Sequence, residues 1–299
     1  MKKLMYASMM AIFALAVASC GDDEPGEPAT AQLTMNISGL EDLGSSAIYE
    51  GWIIVDGSPV STGTFSVNDA GVPSATTFDV DPTDLDQATK YVLTVEPVPD
   101  NDPAPSDQKL LAGDFSGTSA TISTAVMPGV GDFSSAAGVY FLRTPTDETA
   151  GNNMNDIYGV WFGTPGMPPT AGLTLPTLPT GWAYEGWVIG DSGPLSTGTF
   201  TAFNDRDSNN GFSGTENNAG PPIPGEDFFL NAPTGETFPL DLRGRTVVIS
   251  IEPVPDNSPA PFLLKPLAAT VPADAATAPT THDFGLNLAS FPTGNVTRN

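Results

Sequence analysis

Ile48-Tyr-Glu-Gly-Trp-Ile-Ile-Val-Asp-Gly-Ser-Pro-Val-Ser-Thr-Gly-Thr-Phe65 is written again 135 residues later as Ala183-Tyr-Glu-Gly-Trp-Val-Ile-Gly-Asp-Ser-Gly-Pro-Leu-Ser-Thr-Gly-Thr-Phe200. A second text, Tyr91-Val-Leu-Thr-Val-Glu-Pro-Val-Pro-Asp-Asn-Asp-Pro-Ala-Pro105, returns 156 residues later as Val247-Val-Ile-Ser-Ile-Glu-Pro-Val-Pro-Asp-Asn-Ser-Pro-Ala-Pro261. The chain is therefore a duplication. The difference between the two offsets puts 21 extra residues in the second copy, around 209–226, where Asn, Gly, Ser and Pro predict a surface loop.

Within both copies, short runs of Val, Ile, Tyr, Trp and Thr are punctuated by Gly and Pro. They predict strands over 49–55, 60–65, 91–95, 138–142, 184–189, 195–201 and 246–251. Asp56-Gly-Ser-Pro59 and Asp191-Ser-Gly-Pro194 separate the first two strands of each copy, which predicts hairpins with four-residue connections. Alternation in 91–96 sets Tyr91, Leu93 and Val95 on one face and Val92, Thr94 and Glu96 on the other. The second copy repeats this with Val247, Ile249 and Ile251 against Val248, Ser250 and Glu252. The expected fold is all-β, two tandem antiparallel β-sandwich domains. The expected division is a signal peptide at 1–19, an acidic tether at 20–32, domain 1 at 33–143, a linker at 144–156, and domain 2 at 157–299 with its loop insertion near 206–226.

The 31 glycines and 30 prolines fit many turns between short strands and stay below the share that marks low complexity, roughly 25–30%. Thirty-five acidic residues against 10 basic ones give a net charge of -25. Such a surface repels nucleic acid, and no nucleic-acid partner is expected. Lys2 and Lys3, an uncharged apolar stretch over 4–17, and Val17-Ala-Ser-Cys20 follow the order of a secretory signal. The last four residues resemble the lipobox of bacterial lipoproteins, which implies lipidation of Cys20 and a mature chain that starts there. Cys20 is the sole cysteine, so the exported chain is expected to hold together by packing and without an internal disulfide. Gly21-Asp-Asp-Glu24 behind it looks like the export signal of surface-exposed lipoproteins in Bacteroidota. The expected location is the outer membrane, toward its outer face, with membrane contact through the Cys20 lipid.

Tyr-Glu-Gly-Trp, the Ser-Thr-Gly-Thr-Phe hairpin, the Thr-Val-Glu-Pro strand end and Leu110-Leu-Ala-Gly113 together resemble the C-terminal, extracytoplasmic domain of anti-sigma-K factors, present twice. The second copy departs with Pro266-Leu-Ala-Ala269. An anti-sigma factor of that family implies a cytoplasmic zinc-type helical module and a membrane-spanning helix. One histidine, His282, and one cysteine do not make a Cys/His zinc site, and no stretch after Cys20 is long and apolar enough to span a membrane. The resemblance thus implies the exported domain without the regulatory module.

With so few His and Cys residues, nucleophilic triads and metal-hydrolase sites lack their base or ligands. Paired carboxylates remain, Glu50 with Glu96 and Glu185 with Glu252, and a glycosidase needs such a pair in an open cleft. Lys109 and Lys265 fall at matching positions, which predicts ion pairs of Lys109 with Glu96 or Asp100 and of Lys265 with Glu252 or Asp256. Trp52 and Trp187 are expected to pack between sheets. Trp161 and Trp182, outside the repeated pattern, are candidate binding aromatics. Asp205, Asp207 and Asn209 alternate like calcium ligands, with the following glycine one position late for an EF-hand.

No cofactor is expected. The leading functional expectation is a noncatalytic, lipid-anchored envelope protein that recognises an unknown protein or glycan or serves a structural role. An extracytoplasmic sensor of an anti-sigma pathway is the alternative, and a carbohydrate-active enzyme comes third.

Overall fold

The computed structural model describes residues 30–147, 155–215, 219–256 and 258–299. The signal peptide, Cys20, nearly all of the 20–32 tether, the middle of the 144–156 linker and three residues of the insertion lie outside the described residues. The described residues are all-β: their single helix, α1 (Pro82–Gln87), is six residues long and is capped by the Asp81 side chain.

In chain order the first strands are β1 (Ala31–Ser38), β2 (Ala47–Val55), β3 (Ser58–Phe65), β4 (Thr77–Val80), β5 (Lys90–Pro97), β6 (Lys109–Ser116), β7 (Ser119–Ile122), β8 (Ala137–Leu142) and β9 (Gly159–Trp161). In the second copy, Trp182–Ile189 answers β2, Pro194–Phe200 answers β3, Thr246–Pro253 answers β5 and Leu267–Thr270 answers β6. The two copies share one pairing pattern, β3-β2-β5-β6 in the first and the equivalent four strands in the second. As the alternation predicts, Tyr91, Leu93 and Val95 enter the main core, together with Val247, Ile249 and Ile251 of the second copy.

Two features of the repeated text have direct geometric causes. In both hairpins the register slips by one residue after the glycine of Tyr-Glu-Gly-Trp, making a β-bulge. The glycine of Ser-Thr-Gly-Thr there adopts a φ of 116° at Gly63 and 118° at Gly198, a conformation that side chains avoid. Gly51 and Gly186 themselves lie under aromatic rings: a Cβ on Gly51 would stand 2.4 Å from Tyr91 Oη, and one on Gly186 2.3 Å from Phe162 Cε2.

The hairpin connections correct the sequence expectation in the first copy. Val55 pairs with Ser58, so only Asp56 and Gly57 turn the chain, both at positive φ as a tight hairpin turn of Asp-Gly requires. In the second copy Ile189 pairs with Pro194 across four residues.

Strand pairing also corrects the domain boundaries. The C-terminal strand Thr293–Arg298 leaves the second copy and inserts between β7 and β1, completing an eight-stranded sheet of order β3-β2-β5-β6-β7-(Thr293–Arg298)-β1-β4. That sheet curls until its edges approach, with Phe65 of β3 at 6.0 Å from Phe78 of β4, so the first unit is closer to a barrel than to a sandwich. Conversely β8, placed in domain 1 by sequence, pairs with β9 across the linker and with Leu173–Thr174 and His282–Asp283 of the second half. One continuous apolar core runs from Leu33 to Val296. The reason is physical: Val296 alternates inward from a strand that has no counterpart in the repeated text, and pairing is not confined to neighbours in sequence.

Candidate functional site

Opposite the main core, β2 and β5 present Trp52, Glu50, Thr94 and Glu96 on one face, with Trp52 packed on Val92 and Ala112. Trp52 donates Nε1–H to Thr94 Oγ1 at 2.9 Å, and Thr94 in turn donates to Glu96 Oε1. Glu96 also accepts the backbone N–H of Ser106 at 3.0 and 3.2 Å. Ser61 donates to Glu50. The second copy reproduces every link: Trp187 Nε1 to Ser250 Oγ at 2.8 Å, Ser250 to Glu252, the Phe262 N–H to Glu252 at 2.9 and 3.2 Å, and Ser196 to Glu185. A tryptophan, a hydroxyl and a carboxylate thus tie the sheet to the proline-rich loop behind the strand. All four glutamates and both tryptophans are buried, but Trp52 and Trp187, expected to pack between sheets, lie outside the main core.

The electrostatics follow from that burial. Removal from water pushes Glu252 up to about 8 and Glu185 up to about 7, with Asp256 adding to both. Glu50 is raised for the same reason, with smaller contributions from Glu96 and Asp100.

The expected lysine ion pairs are corrected. Lys109 Nζ donates to the Ser106 carbonyl at 2.7 Å and Lys265 Nζ to the Phe262 carbonyl at 2.7 Å. Neither makes a salt bridge with Glu96, Asp100, Glu252 or Asp256; the ion pairs among the described residues are Lys90–Asp114, Arg243–Asp241 and Arg245–Asp191. Glu96 and Glu252 each accept a loop amide and a hydroxyl, and the ammonium takes the carbonyl of the same loop residue. Ser106 and Phe262 are held on both sides, with the lysines on the loop carbonyls where ion pairs with carboxylates were expected.

The two proline-rich loops meet at the junction of the copies. Gln108 Nε2 donates to the Val254 carbonyl, and Glu41 Oε1 accepts the Leu263 N–H at 3.2 Å. A cavity of about 470 Å³ opens there, lined by Glu41, Asp42, Glu96, Asp256, Pro253 and Phe262 among others. Glu41 escaped the repeat comparison because its counterpart is Pro176; the backbone carbonyls of both accept a tyrosine hydroxyl, from Tyr49 at 3.0 Å and Tyr184 at 2.6 Å. Only the glutamate side chain reaches across the junction, where it and Glu252 oppose the downward effect of burial on Lys265.

Other candidates resolve differently from expectation. Trp161 and Trp182 are each 3% exposed and offer no stacking platform. Trp161 donates to Asp227 Oδ1 at 3.0 Å and packs on Phe141 and Ile223, while Trp182 lies against Phe262. Asp205, Asp207 and Asn209 do not converge: Asp205 accepts the Arg206 N–H, Asp207 turns inward to the Gly225 N–H at 2.8 Å, and Asn209 binds Gly211 N–H and the Ser196 carbonyl. Asp207 anchors the insertion to the strand Gly225–Asp227, whose Glu226 and Asp227 are wholly buried. No sequence pattern marks these acids, because their burial is created by the insertion that the first copy lacks.

The geometry defines a class: a duplicated all-β scaffold whose acidic side chains brace loops around a shared junction. Residues 25–109 match the family model described as Anti-sigma-K factor rskA, C-terminal, a span from before β1 to the first residue of β6 that contains Glu50, Trp52, Thr94 and Glu96. The match covers under a third of the chain and only the first copy. No curated protein and no solved structure matches the chain.

Proposed function

We propose that this chain is a noncatalytic, lipid-anchored protein of the cell envelope, in which two units similar to the C-terminal domain of anti-sigma-K factors serve recognition or structure. The observation that carries this reading is the twofold Trp–hydroxyl–Glu–amide network, in which the carboxylates that would do chemistry are committed to bracing loops. Those loops frame the junction cavity, whose Glu41, Asp42, Glu96 and Asp256 suit a cationic or hydroxyl-rich group of a protein or glycan. Burial of Glu185 and Glu252 speaks against the third reading, since a glycosidase needs its pair in an open cleft.

Anchoring rests on the Val17–Cys20 text and outer-membrane placement on the acids that follow it. Cells fed an alkyne fatty acid should label the parent chain and recover it with outer membranes, and Cys20→Ser should lose both the label and the membrane. Labelling that survives Cys20→Ser would sink the anchor.

The family match favours a second reading, an extracytoplasmic component of an anti-sigma pathway. Deletion of the gene with a reporter for each envelope-stress sigma factor separates the two. Unchanged reporters support the recognition role, and derepression of one supports the sensor.

A further inference from the structure

Glu185, Glu252 and Asp256 each place a carboxylate oxygen within 4.8 Å of the other two, the one such grouping of His, Cys, Asp or Glu side chains among the described residues. Glu252 is fully buried and Glu185 is 5% exposed. Glu185 uses Oε1 to accept from Ser196, while its Oε2 is buried with no N–H or hydroxyl donor and faces the Asp256 carboxyl, with which it can hydrogen-bond only by sharing a proton. Glu185 also stands beside Glu252. An acceptor removed from water with no donor is costly, and the mutual repulsion of Glu185, Glu252 and Asp256 is relieved either by protons held on the buried pair or by a bound cation. Lys265 interacts with Glu252 through its charge, but its ammonium donates to the Phe262 carbonyl and makes no salt bridge with the three carboxylates.

We propose that Glu185, Glu252 and Asp256 form a calcium site that ties the strand Trp182–Ile189 to the loop after Thr246–Pro253. Ligand type and spacing select the ion. Hard oxygens suit calcium or magnesium, and three carboxylates from a strand and a loop, beside a cavity that admits water, suit the six to eight flexibly placed oxygens of calcium better than the strict octahedron of magnesium. Asp256 is half-buried and lines the junction cavity, which supplies an entry path and room for water ligands. The first copy is a built-in comparison: Asp100, the counterpart of Asp256, is exposed, and Glu50, Glu96 and Asp100 do not form such a group. Calcium there fixes the loop on one rim of the cavity in the second copy alone.

Isothermal titration of the full chain in detergent, stripped with chelator, tests the site with calcium chloride as the probe. One calcium is expected to bind, and Asp256→Asn and Glu185→Gln should each weaken it at least about tenfold with unchanged circular dichroism. Glu185→Gln also offers an amide donor where Oε2 has none. It should therefore raise the calcium-free melting temperature while abolishing the rise that calcium gives the parent; a carboxyl that is merely unsatisfied would show the first effect and keep the second. Absence of binding to the parent overturns the proposal, as does binding that survives both substitutions or is lost instead in Asp207→Asn.

Discussion

Thr94 and Ser250 are the hubs of the repeated network, each accepting from a tryptophan and donating to a glutamate. Replacing Thr94 by valine keeps the shape, strands the buried Trp52 N–H and leaves Glu96 Oε1 with the Ser106 amide alone, which should cost about 1–3 kcal/mol in urea denaturation. Thr94→Ser should stay within about 1 kcal/mol of the parent, because the second copy already uses serine there. Equal losses in both variants would show that the methyl group, and not the hydrogen bonds, matters. The role of these residues was half visible in sequence. Alternation put Thr94 and Glu96 on one face, and repetition marked them, but the strand register that brings Trp52 to Thr94 is a tertiary fact. The same limit explains the lysines: matching positions revealed a shared job for Lys109 and Lys265, while the choice of carbonyl over carboxylate depended on what the loop amides had already claimed.

At the scale of an element, the three-residue strand Gly225–Asp227 is unusual because both its acids are buried. Removal from water raises Glu226 and Asp227 to about 7 and Asp207, which holds Gly225, to about 8. Between the ordinary carboxyl range near 4 and these values, the folded chain keeps protons that the unfolded chain has released, so stability falls as pH rises. Urea midpoints measured with chelator present should be higher at pH 5.5 than at pH 8.5, by an equivalent of more than about 2 kcal/mol, with a shallower slope in Asp207→Asn. Stability that climbs with pH across this window would contradict the burial of these groups. The sequence showed the insertion and its acids, but not that Asp207 turns inward to Gly225, because a Gly- and Asn-rich text does not reveal which side of a loop faces the core. Strands were far more legible: β2, β3, β5 and their counterparts fall within two residues of the predicted limits, because Val, Ile, Tyr and Trp alternation is a local signal.

Over the whole molecule, two copies legible as text have become one body. The C-terminal strand lies between β7 and β1, and Arg298 donates to the carbonyls of Leu85, Asp86 and Ala88 at the end of α1 and stacks over Phe115 at 4.5 Å. The shared cavity is lined by residues of both copies. Nothing in the repeat foretold it, since residues 262–299 have no aligned counterpart beyond the lysine and the strand after it. Calorimetry of the full chain against one ending at Pro292 is the most direct measurement of this unity. The full chain should unfold in a single endotherm, and loss of 293–299 should lower it by at least about 10 °C, since it opens the eight-stranded sheet and removes the Arg298 contacts. Two independent endotherms in the full chain, with both unmoved by the truncation, would contradict it.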